Sequence, residues 1–133
     1  MGDAGADDRP LAVHVAFVPE TQSWWQGLRR GTAELFGIPL PGKVLTYVWG
    51  GDGERGVSLA NPHYPDEGRL IVLRPGIASL AQWQEERIDL IADFAAAFGH
   101  PPPPLLYIAI SSDTDDRGGE SLGWIADIVL SDP

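Results

Sequence analysis

The hydrophobic positions of this chain fall into short, strand-like runs that are separated by turn residues. The first run, residues 11–18, is largely apolar on both faces and ends at Pro19, which lacks a backbone donor. The runs at 43–49 and 69–74 are rich in β-branched and aliphatic residues and stop at glycine or proline. These patterns predict three buried strands.

A fourth strand-like region lies near the C terminus. Residues 105–110 are aliphatic and aromatic, and apolar side chains alternate along residues 122–130. An acidic, glycine-bearing loop at 113–120 separates the two runs. We predict a long β-hairpin over residues 105–130, with both of its faces covered.

One stretch has the periodicity of a helix. Apolar residues between 80 and 98 recur at three- and four-residue spacing and would form one helical face. Ser79 and Gln82 fit a capping box, and Gly99, followed by four prolines, would end the helix. We predict a helix over residues 79–99.

Arg87 falls on the apolar face of that predicted helix. An unpaired charge is costly there, so the guanidinium should lie along an aromatic ring or pair with a carboxylate. We assign Arg87 and the neighbouring Glu86 to a structural ion pair, and we prefer this role to a ligand contact.

Strong strands around one long helix, with short turn-rich links, predict a mainly β fold. The simplest architecture is an antiparallel β-sandwich of jelly-roll type, formed as a single domain by residues 1–133. We expect residues 1–8 to be flexible and residues 19–42 to form an inserted loop with short helices.

Composition narrows the choice of partners and compartments. The net charge of −10 argues against nucleic acid and anionic membranes, which need basic patches, and favours a cation or a basic protein surface. The absence of cysteine excludes disulfides and thiolate chemistry. No apolar run is long enough to span a bilayer, and the N terminus lacks the features of a signal peptide. We expect a cytoplasmic chain, or a periplasmic one if the sequence is trimmed.

The acidic loop offers candidate metal ligands. Asp113, Asp115, Asp116 and Asp127 supply hard oxygen ligands around a glycine-bent turn, which suits calcium. The spacing is not that of an EF-hand, because the required acidic positions fall on arginine and tryptophan. The alternative is a solvated acidic turn.

Three tryptophans could form a contact surface. Trp24, Trp25 and Trp49 offer aromatic faces that pack well on sugar rings or on protein surfaces. The alternative is that they close the end of a core.

Five motifs occur in a fixed order: TYVWG, RLIVLRPG, WQEERIDLIADFAAAFG, YIAISSDTDD with the following RG, and WIADIVL. In this order the chain resembles the bacterial domain of unknown function 3047 family over residues 7–130. The resemblance implies a jelly-roll sandwich similar in layout to carbohydrate-binding modules, with no established activity.

The chain departs from that family at its N terminus. Family members have further strands ahead of an acidic pair that Asp7 and Asp8 resemble, and this sequence starts close to that pair. The resemblance therefore implies a shortened domain, or a partner that supplies the missing sheet surface. Because exposed strand edges favour association, we expect a homo-oligomer or a subunit of a complex.

These observations support three functional hypotheses. The leading one is a non-catalytic module that binds a ligand or a protein, in its most specific form a carbohydrate-binding module with a structural calcium. The second is an assembly subunit that docks a basic partner through its acidic surface. The third is a carbohydrate-active hydrolase, which would need two carboxylates held at a set separation.

Overall fold

The protein forms a mainly β structure with one short helix. In the computed structural model, residues 9–20, 40–50, 54–62, 64–75, 81–113, 120 and 122–132 are described. In chain order the elements are β1 (Arg9–Phe17), β2 (Val44–Trp49), β3 (Ser58–Ala60), β4 (Gly68–Arg74), α1 (Leu90–Phe98) and β5 (Leu105–Asp113). The strands form one five-stranded sheet in the order β3-β4-β2-β1-β5. The predicted mainly β class is confirmed.

The sheet is mixed rather than purely antiparallel. β1 pairs antiparallel with both β2 and β5, and β3 pairs antiparallel with β4. β2 and β4 run parallel, with Val44 opposite Gly68. The reason is topological: β3 runs back along the outer side of β4, so β4 fills the place beside β2 in the same direction. Within the described residues the sheet does not close on itself, and the helix is not long.

One face of the sheet carries the main core. Its buried members are Val15, Phe17, Leu45, Tyr47, Ile71, Leu73 and Phe94. Phe94, the residue of α1 that is 0% exposed, meets Phe17 edge-on at 4.6 Å between ring centroids and Phe98 at 4.7 Å. The Lys43 ammonium lies 5.1 Å from the Phe98 ring centroid, so its charge also contacts the aromatic cluster. The helix is therefore fixed to the sheet mainly by aromatic packing.

The opposite face of the sheet is also buried at its centre. Ala12, Val48, Leu70 and Val72 form a second apolar cluster, with Leu59 packed against it. Strands that are buried on both faces read as continuous apolar runs rather than as alternating ones. This accounts for the apolar character of residues 69–74 on both sides.

The helix begins later than its periodicity predicted. Residues 81–89 are not helical, and residues 76–80 lie outside the described ones. Asp89 has an extended backbone and accepts the Ala92 N–H at 2.9 Å, so it is the N-cap of α1. The predicted end is confirmed: Gly99 takes a left-handed conformation (φ 83°), and its N–H donates to the Ala95 carbonyl at 2.8 Å.

Only the first half of the predicted hairpin is a strand. Residues 105–113 form β5, whereas residues 122–132 form no strand. Asp127 has a φ of 55°, a left-handed conformation that interrupts any extended run. The prediction of a paired hairpin over residues 105–130 is therefore wrong in its second half.

Candidate functional site

A cavity of about 290 Å³ lies between α1, the segment that precedes it and the β3–β4 edge of the sheet. The apolar part of its lining comes from Ile71, Val72, Leu73, Ile88, Ala96 and Ala97. The polar part comes from Arg55, Ser58, Arg87, Asp89 and Asp93. The cavity is half-open, and it combines an apolar wall with both positive and negative groups, so it offers a small molecule apolar contact as well as charged hydrogen-bonding groups.

Asp93 is held in place by a buried tyrosine. The Tyr47 hydroxyl, within the main core, donates a hydrogen bond to Asp93 Oδ2 at 2.8 Å. Burial, together with the hydrogen bond to Asp93 and the nearby negative charge, raises the pKa of Tyr47 far above its usual range. The hydroxyl therefore remains a donor at any physiological pH, and it fixes one oxygen of Asp93.

Glu86 anchors the segment before the helix to the sheet. Its Oε1 lies 2.5 Å from Arg74 Nε at the end of β4, and its Oε2 lies 3.2 Å from Arg55 Nη2. The Glu86 side chain is only 11% exposed, so these are interactions of a largely desolvated carboxylate. Glu86 holds Arg55 where it contributes to the cavity lining.

Arg87 does not take the partner predicted for it. Glu86 pairs with the two arginines of the sheet side, and no ion pair to Arg87 occurs in the part of the chain that the structure describes. Arg87 is exposed and lines the cavity with Asp89. The predicted apolar face placed Arg87 in the core because the helix was assumed to begin ten residues too early.

The predicted tryptophan surface is only partly within the described residues. Trp49 is half-buried at the end of β2, where it packs against the main core, and it is not among the residues that line the cavity. Trp24 and Trp25 lie outside the described residues. The role of these three side chains in ligand binding stays a prediction.

The predicted calcium ligands are also incompletely described. Asp113 ends β5, Asp127 is exposed, and Asp115 and Asp116 lie outside the described residues. Over the described ranges, no three His, Asp or Glu side chains come together in a way that could hold a metal ion. The calcium site stays a prediction.

A second polar cluster lies on the face of the sheet away from α1. His14 on β1 places Nδ1 3.1 Å from Thr46 Oγ1 and Nε2 2.7 Å from Ser111 Oγ. Burial lowers the pKa of His14, which favours the neutral ring. A hydroxyl bonded to an imidazole can form a nucleophile, but the same bonds also satisfy the polar atoms of a partly buried histidine on the sheet face. We assign the cluster this structural role.

Sequence reasoning did not identify the residues that contact Glu86 and Asp93. Arg74 and Tyr47 were interpreted only as strand residues. A charged residue at the end of an apolar strand, such as Arg74, does indicate that an oppositely charged partner lies nearby. Arg55 and Ser58 carried no signal, because their place in the cavity depends on how β3 pairs with β4.

Among the described residues, no helix has the length and apolar character that a membrane span requires.

Comparison with known proteins adds one result. The family model for protein of unknown function DUF3047 matches residues 1–129 of the chain. The chain belongs to DUF3047. This confirms the resemblance that the five motifs indicated. The description of the family assigns no activity to the matched residues. No curated protein and no solved structure matches the chain.

Proposed function

We propose that this DUF3047 protein is a non-catalytic binding module, and that the cavity beside α1 holds a polyhydroxylated ligand of the size of a monosaccharide. The observation that carries the proposal is the composition of the cavity. It has an apolar wall, two arginines and two carboxylates within about 290 Å³. A sugar has an apolar C–H face and hydroxyl groups that both donate and accept, so it matches such a lining.

Two of the charged groups of the cavity are held in position by other side chains. Tyr47 fixes Asp93, and Glu86 holds Arg55. A ligand that meets side chains in fixed positions loses less free energy in ordering them, so this arrangement favours binding.

The carboxylates of the cavity favour binding over hydrolysis. A glycoside hydrolase needs one carboxyl group to move a proton and a second to act as a base or nucleophile. Here Asp89 accepts the N–H of Ala92 at the start of the helix, and Asp93 accepts the Tyr47 hydroxyl. Both carboxylates therefore have structural partners, and the hydrolase remains the weaker alternative.

The binding module in this proposal is a jelly-roll sandwich with a calcium ion at the loop of Asp113 and Asp115. Its support is the burial of both faces of the central strands together with the charge density of the loop. Calcium that binds only the folded state raises the melting temperature, so we expect a drop of several degrees on chelation. Asp113→Asn with Asp115→Asn should abolish that drop, and Asp66→Asn should not. An unchanged melting temperature on chelation would remove calcium from the proposal.

Binding should be measured first on a glycan array and then by titration calorimetry with the best monosaccharide. We expect Arg87→Ala and Asp93→Asn each to weaken binding at least about tenfold, because each removes a charged hydrogen-bonding group. Asn at position 93 can still accept the Tyr47 hydroxyl, so the fold should persist.

Asp66→Asn is the matched control, because Asp66 is exposed and is not among the cavity residues. Absence of binding to every glycan tested at millimolar concentration would reject the carbohydrate proposal. Binding that survives both cavity substitutions at full strength would place the ligand elsewhere.

A further inference from the structure

The C-terminal segment, defined here as residues 122–132, exposes large apolar side chains. Leu122 is 74% exposed, Trp124 is 65% exposed and Val129 is 80% exposed, and Ile128 and Leu130 are exposed as well. Large apolar side chains that are exposed together along one short segment are a sign of an interaction surface.

The segment has the sequence of a strand without a partner. Leu122, Trp124, Ile128 and Leu130 share one parity, so an extended backbone would place them on one face. The left-handed conformation of Asp127 is less favourable than ordinary backbone conformations. A strand that paired with this segment would therefore also allow Asp127 to return to an extended conformation.

β5 offers the complementary edge. It is the last strand of the sheet order, and no described strand pairs with its outer side. Leu105 and Ile110 on this strand are exposed. Residues 105–112 carry no charged side chain, whereas edge strands that must stay unpaired are commonly protected by charges.

From this pair of surfaces we propose that the C-terminal segment of one copy pairs with the outer edge of β5 in a second copy. The structure leaves the segment unpaired on β5 of its own chain. A second copy supplies both the strand and the edge, so one two-fold contact satisfies two segments and two edges. The net charge of −10 opposes association only weakly at long range, because physiological salt screens it beyond about 8 Å.

This contact does not depend on the proposed ligand. β5 lies at one end of the sheet order, and β3, which borders the cavity, lies at the other. Loss of dimerisation and loss of ligand binding can therefore be measured separately.

The test is the molar mass of the full chain, measured by light scattering during size-exclusion chromatography over a range of micromolar concentrations. We expect a dimer. Trp124→Ser should weaken dimerisation at least about tenfold, because it removes an aromatic side chain from the contact. Ile110→Lys should weaken it similarly, because it places a charge on the edge. Trp83→Ser is the control and should leave the dimer intact, since Trp83 is exposed outside both surfaces.

Mixing the two variants identifies which surfaces meet. The Ile110→Lys copy keeps an intact C-terminal segment, and the Trp124→Ser copy keeps an intact β5 edge. A mixed dimer has one intact segment-to-edge junction and one junction that carries both substitutions, whereas each variant alone has two junctions with one substitution each. If a single substitution is enough to break a junction, only the mixed dimer keeps an intact one, and the mixture then dimerises more strongly than either variant. A monomeric wild-type chain would overturn the proposal, and so would a dimer that both substitutions leave intact.

Discussion

The two halves of the predicted hairpin have similar sequences but very different structures. β5 pairs along β1, with Val15 opposite Ile108, and Ile108 packs against the main core. The C-terminal segment has the same apolar character, yet it forms no strand and exposes Trp124. Apolar alternation therefore indicates that a segment is suited to pairing. A strand forms only where a neighbouring edge supplies hydrogen bonds and a second layer covers the side chains.

The largest expected difference in stability is between a substitution of an aromatic residue in the core and a substitution of one in the C-terminal segment. Phe94→Ala removes a fully buried ring and should lower the free energy of unfolding by about 3–5 kcal/mol. Trp124→Ala should lower it by less than about 0.5 kcal/mol in dilute, monomeric protein, because the ring is exposed. Urea denaturation measures both. Similar losses in the two variants would show that Trp124 is buried in solution.

A smaller effect concerns the segment before α1, which is not helical but, unlike the C-terminal segment, is anchored by side chains. Glu86→Gln leaves the Arg74 and Arg55 guanidinium groups without a carboxylate and should cost about 1–3 kcal/mol of folding free energy. Glu85→Gln is the matched control, because Glu85 is exposed and directly precedes Glu86 in the sequence. Equal stability of the two variants would mean that Glu86 does not anchor this segment.

The start of the helix can be tested by whether a substitution at Asp89 raises or lowers stability. With Asp89 as N-cap, Asp89→Ala should cost about 1 kcal/mol, and Asp89→Asn should cost little because asparagine also caps well. If the helix instead ran through residues 79–89, alanine would stabilise it, since alanine is the better helix former. Thermal unfolding followed by circular dichroism distinguishes the two cases.

The local features of this fold were largely predictable, and the features that depend on pairing were not. β1, β2 and β4 follow from apolar runs, and the end of α1 follows from Gly99 and the prolines. The parallel pairing of β2 with β4 could not be read from either strand, because it results from where β3 returns. The helix start was missed because residues 80–89 share the helical spacing, while Glu86 pairs with the sheet.

The candidate site was predictable only in part, for the same reason. Glu86 and Arg87 were recognised as charges that need partners. The partners of Glu86 are Arg74 at the end of β4 and Arg55 in the turn before β3, and the strand arrangement that brings them to Glu86 cannot be read from the sequence. The same holds for His14, whose hydroxyl partner Ser111 lies 97 positions away along the chain.

The smallest expected effect on stability concerns the side-chain hydrogen bond that links His14 on β1 to Ser111 on β5. Burial lowers the pKa of His14 below its usual value of 6.5, so the unfolded chain binds a proton more readily than the folded one. The neutral ring therefore contributes stability above pH 6.5, and this contribution is lost as the pH falls through the lower pKa of the folded state. Wild type should lose more stability between pH 7 and pH 5 than His14→Gln does.

Carboxylates also titrate in this range, so the informative quantity is the difference between wild type and the variant at each pH. The two bonded partners of His14, Thr46 and Ser111, carry hydroxyl groups that do not titrate there. Ser111→Ala tests the link itself: it should reduce stability at pH 7, because Nε2 loses its partner, and keep the pH trend. A wild-type protein that became more stable than His14→Gln on acidification would show a charged ring in the folded state. β5 would then be held to β1 by an ionic contact rather than by neutral hydrogen bonds and packing.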